Sequence, residues 1–141
     1  EVYDSLSVFS DIKSVSLLQN AISTETNNLA KSYAIMSFGD VANSLGISDD
    51  YKEYVDKIKS CNKSNDCILS CLYCLYLFGE NVIDDICLFL NDNDYHIRLS
   101  AVSILEEIVN NDNFDIITSK LNDRLKIEDC SSVIDKIKNF N

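Results

Sequence analysis

Three cysteines come closest to chemistry in this chain. Cys67, Cys71 and Cys74 fall at i, i+4 and i+7, on one side of any helix that holds them. Cys71-x-x-Cys74 has the spacing of a metal-ligating or redox pair, and Cys61 or Cys87 is in principle available as a further ligand. The competing reading is packing, in which a thiol serves as a small hydrophobe inside an apolar helix. Packing is the preferred reading. The single histidine, His96, stands beside Tyr95 where a helix begins, so a Cys-His nucleophilic pair would have to be assembled from afar. There is no Ser/His/Asp set, no glycine-rich phosphate loop and no HExxH, so the chain is not expected to be an enzyme and no cofactor is expected.

The elements that hold these residues are helices. In 141 residues there is no proline, and the three glycines are Gly39, Gly46 and Gly79. With so few breakers, long helical stretches joined by polar turns are the natural outcome. Apolar spacing places a first helix over 3–22, with Asp4 as a cap, Val8 and Phe9 on its apolar side and a break near Ser10-Asp11. The second runs from Leu29 to Leu45 and ends at Gly46, and Ser48-Asp49-Asp50 caps a third carrying Tyr51, Tyr54, Val55 and Ile58 on one face. The fourth, Cys67 to Phe78, is apolar nearly all round, which marks a helix buried in the middle of an assembly. At about half the ~20 residues needed, it is too short to span a bilayer. Asn81–Leu90, Tyr95–Asn110, a helix opening at Phe114 and a last one opened by Glu128-Asp129 complete eight, or about four antiparallel pairs in one domain of residues 1–141.

The second members of the first three pairs align without gaps. Ala30, Ala34 and Phe38 correspond to Cys67, Cys71 and Leu75, then to Ile97, Ala101 and Leu105. A small central residue, Ala34, Cys71 or Ala101, lets a neighbouring helix approach closely. Unequal spacing makes this a degenerate repeat.

The turn between the fifth and sixth helices, Leu90-Asn91-Asp92-x-Asp94-x-x-Ile97-Arg98-x-x-Ala101-x-x-x-Leu105, resembles the inter-helix turn and second helix of a HEAT repeat. The resemblance is best over 81–110 and lacks the proline usual in the first helix. It implies an all-α, right-handed α-solenoid that works by binding other macromolecules, with an irregular α-helical bundle as the alternative fold. It also implies that Arg98 bonds to a turn aspartate, Asp94 or Asp92.

Charge narrows the partner. The formal net charge is −11, from 23 acidic and 12 basic residues. Such a surface repels nucleic acid and anionic lipid, attracts a basic protein, and speaks against a HEAT-like DNA glycosylase. Between Glu80 and Asp115 stand nine carboxylates against Arg98 alone, eight of the eleven excess negative charges. Each is explicable as solvated surface. Together they produce the one-signed field that steers a basic protein. Tyr73 and Tyr76, opposite Cys71 and Cys74, add aromatic contacts if their helix lines an inner surface, and are core if it is covered on both sides. The candidate partner-binding residues are therefore Tyr73, Tyr76, Asp92, Asp94, Tyr95, Glu106, Glu107 and Asp112.

Small, strongly acidic proteins without catalytic apparatus are similar to the immunity proteins of bacterial contact-dependent growth inhibition systems, some of which have HEAT-like folds. That likeness implies a cytoplasmic protein, with reduced thiols, that neutralises a basic nuclease toxin domain as a 1:1 complex. The chain opens Glu1-Val2-Tyr3 without an initiator methionine, consistent with loss of a short leader or tag. The alternative function is a HEAT-like scaffold or a bilin-lyase-like accessory enzyme.

Overall fold

The computed structural model describes residues 12–140, so the proposed Asp4 cap, Val8, Phe9 and the break at Ser10-Asp11 lie outside the described residues. Eight α-helices and two short 3-10 turns make up the described secondary structure, with no strand among those residues. The chain divides into two compact units, Glu1–Asn81 and Val82–Asn141.

In the first unit, α1 is Ile12–Thr24, α2 Asn28–Ser44, α3 Lys52–Cys61 and α4 Asn65–Leu77. Glycine closes α2 and α4 in the same way. Gly46 and Gly79 have φ of +70° and +95°, and the amide after each reaches back to the helix, Ile47 N to Ala42 O at 3.1 Å and Glu80 N to Leu75 O at 3.0 Å. This left-handed cap satisfies carbonyls the helix end would otherwise orphan. Side-chain caps open both helices, Asn27 onto the Ala30 amide and Ser64 onto the Cys67 amide. The expected Ser48-Asp49-Asp50 cap does not form. Ser48–Tyr51 is a 3-10 turn, and α3 starts after it without a side-chain cap.

The core of this unit is the seam between α2 and α4, which run parallel. Cys67 Sγ donates to Asn28 O at 3.4 Å and Cys74 Sγ to Ile35 O at 3.1 Å, each across 39 positions, so the register holds for two turns. Gly39 lies against Cys74 so closely that a Cβ there would sit 2.5 Å from Sγ. Only the absence of a side chain permits that approach. As expected from its composition, α4 is buried along most of its length. Phe38 packs edge-on to Tyr51, with ring centroids 5.2 Å apart, and Tyr54 completes the aromatic cluster that seats α3.

In the second unit, α5 is Ile83–Leu88, followed by the 3-10 turn Phe89–Asn91; α6 is Tyr95–Ile108, α7 Phe114–Leu125 and α8 Ser131–Lys138. Ile86, Leu90, Ile97, Ala101, Val102, Leu105, Ile117, Leu121 and Val133 fill its core. Two ion pairs fix the course of α8. Arg98, near the start of α6, meets Glu128 just ahead of α8, while Glu106 near the end of α6 meets Lys136 near the end of α8. These helices are thus parallel and in direct contact, and α7 is the return leg that joins them, bringing Arg124 back to Asn91. The predicted last helix starts late. Glu128 and Asp129 belong to the turn, and Cys130 is the residue that precedes α8.

The internal alignment of second helices matches this layout. Ala30, Cys67 and Ile97 are each the third residue of their helices, α2, α4 and α6. The turns ahead of the second helices also share a device. Asn62 accepts from the amide of Ser64, Asp92 from that of Asp94 and Glu128 from that of Cys130, each two residues on, just before the helix starts. A side-chain oxygen at that place fixes the entry angle of the chain into the helix.

Candidate interaction surface

At the α5–α6 turn both predicted aspartates are engaged with backbone. Asp94 accepts from the His96 amide at 2.9 Å and so caps α6, while Asp92 accepts from the Asp94 amide at 2.9 Å. Tyr95 is 41% exposed and lies over the His96 ring, centroids 4.0 Å apart. His96 Nδ1 is 3.2 Å from Asp94 Oδ1 on the surface, an arrangement that orients the ring beside the cap.

Arg98 has the expected structural role, but the carboxylate that receives it is neither of the two expected. Its side chain is 7% exposed, and its Nε and Nη2 donate to the two carboxylate oxygens of Glu128 at 2.9 and 2.7 Å. Nη1 donates to the backbone carbonyls of Asp92 and Asn93. Asp92 thus contributes its carbonyl, and Asp94 is occupied as the cap. Glu128, whose side chain is 0% exposed, also receives Arg124 Nε at 2.7 Å and the Cys130 amide. Burial alone raises the Glu128 pKa, yet the donors from Arg98, Arg124 and Cys130 outweigh it and hold the carboxyl down at about 2. The same hydrogen bond to Glu128 raises the Arg98 pKa, so the pair stays ionised. Sequence reasoning missed Glu128 and Arg124. Their i, i+4 spacing was a usable signal, whereas nothing local joins Glu128 to Arg98 across 30 residues.

The remaining predicted carboxylates lie elsewhere. Glu106 and Glu107 are exposed in the last turn of α6, and Asp112 is exposed in the turn that follows. From Tyr95 to Glu106 the α6 axis advances roughly 16 Å, so Asp92, Asp94 and Tyr95 occupy one end of the unit and Glu106, Glu107 and Asp112 the other. The eight candidates do not form one patch. Topology adds Asp84 and Asp85, in the first turn of α5, and Asp115, in the first turn of α7, to the Glu106 end. Glu80 falls in the N-terminal unit.

A side-chain lattice fixes the turn that displays Asp112. Asn113 Oδ1 accepts from the Asn110 amide at 2.7 Å, Asn113 Nδ2 donates to Ile108 O, and Asn110 Oδ1 accepts from the amides of Asp112 and Asn113. The dipole of a helix separates these carboxylates by cause. Asp84, Asp85 and Asp115 stand at positive helix starts, where a negative charge is locally stabilising. Glu106 and Glu107 stand at the negative end of α6, where it is not. Lys136 offsets Glu106 at 3.1 Å, and both side chains remain partly exposed.

Tyr73, Tyr76, Cys61, Cys67, Cys71 and Cys74 belong to the N-terminal unit. Tyr73 is 7% exposed, with its hydroxyl donating to Asp40 Oδ1 at 2.6 Å, which removes it from the contact surface. The cause is that α4 is covered on the tyrosine side as well as the cysteine side. Tyr76 is half-buried. Cys67, Cys71 and Cys74 are buried, and burial pushes the Cys71 thiol up to about 12 and Cys74 well above its usual value. A protonated thiol donating to a helix carbonyl is the packing role; a metal ligand or nucleophile needs the thiolate. Cys87 is buried too, and burial raises it to about 11, while Cys61 is exposed and Cys130 half-buried. Among the described residues no group of three His, Cys, Asp or Glu side chains is placed to hold a metal ion, and no helix is long and apolar enough to cross a membrane. No family model, no curated protein and no solved structure matches the chain.

Proposed function

We propose that this is a HEAT-like, acidic protein-binding module, an immunity protein that neutralises a basic nuclease toxin domain through the Glu106 end of its C-terminal unit. The observation that carries this reading is that Asp84, Asp85, Glu106, Glu107, Asp112 and Asp115 are all exposed, in the first turns of α5 and α7, the last turn of α6 and the turn that follows it. Glu106 and Glu107 stand against the α6 dipole, and Lys136 offsets only the first of them. A concentrated one-signed field costs stability by self-repulsion and accelerates encounter with a partner of opposite sign. A nuclease surface built to hold phosphate is such a partner. The reading places the protein in the cytoplasm as one half of a 1:1 complex.

The test is to express the domain encoded by the adjoining reading frame, which the proposal expects to be a basic nuclease, and to mix it with this protein. The expected result is a 1:1 complex in which nuclease activity is lost and affinity falls steeply with added salt. Full nuclease activity at low ionic strength, with no complex detected by calorimetry, would overturn the proposal.

A further inference from the structure

We draw no further inference here: the strongest candidate, the mixed polar and apolar groove between α7 and α8 lined by Thr118, Leu121, Asn122, Ile137, Lys138 and Phe140, carries nothing because nothing in the structure shows what covers it.

Discussion

The two units solve the same packing problem with different means. In the N-terminal unit two long helices, α2 of 17 residues and α4 of 13, lie parallel at a distance set by Gly39 and thiols. In the C-terminal unit α5 has six residues and α8 eight, too few to bury a comparable apolar seam. There a buried Glu128 joined to two arginines ties the turn before α8 to the start of α6 and the end of α7. Close approach of long helices needs small side chains and little charge. Short helices gain their fixed order from polar contacts that must all be satisfied together. The first kind of seam is indifferent to acid, because its thiols are already protonated there. The second is not.

The largest expected effect breaks the polar staple. Glu128→Ala leaves Arg98 buried without its carboxylate and should cost about 3–5 kcal/mol. Urea unfolding measures the loss, and hydrogen exchange should rise in α6 and α8 while α2 and α4 keep their protection. A loss under about 1 kcal/mol would mean that the network contributes no more than a surface pair.

Acid should reach the same staple without mutation. The folded pKa of Glu128 is depressed to about 2, so its stabilisation is fully present above the unfolded value near ~4.3 and is lost as pH falls through about 2. The loss from this group approaches about 3 kcal/mol at the acid limit. Chemical denaturation at stepped pH should show it in the wild type and not in Glu128→Gln. Equal acid sensitivity in both proteins would contradict the assignment.

The thiol seam should fail by crowding. Gly39→Ala places a Cβ 2.5 Å from Cys74 Sγ, and overpacking of about 1–3 kcal/mol exceeds the helix-propensity gain of about 1 kcal/mol. Adding Cys74→Ala should recover part of the loss, because the sulfur is the nearest obstacle. If Gly39→Ala is stabilising, the helices have room to separate.

Smallest is the cap. Asp94→Ala should cost about 1 kcal/mol by freeing the His96 amide, a loss read from the thermal midpoint. An unchanged midpoint would show that water serves the helix start equally well.

Much of this contrast was legible before the fold. The all-apolar stretch Cys67–Phe78 announced a buried helix, and Gly46 and Gly79 marked two helix ends. The repeat alignment put α2, α4 and α6 in a common register because a small residue recurs nearly two turns after each helix start. Tyr73 was ambiguous for a physical reason: where every side of a helix is apolar, periodicity cannot say whether one of them is open. Arg98 has the structural role expected of it and does bond to Asp92, but through the carbonyl, since the backbone had already claimed both aspartate carboxylates. The charge count located the acidic stretch, yet it treated neighbours in sequence as neighbours in space. The rise along α6 separates Asp92 and Asp94 from Glu106 and Glu107.

That separation allows the central proposal to be tested inside one protein. Association with the proposed partner, a basic nuclease domain, should be followed by stopped flow across ionic strength for Glu106→Lys/Glu107→Lys and, as the control at the opposite end, Asp92→Asn. The account predicts a fall of about tenfold or more in association rate and a flatter salt dependence for the first variant, with a near-wild-type rate for the second. Equal rates for the wild type and the Glu106/Glu107 variant at low salt would contradict it.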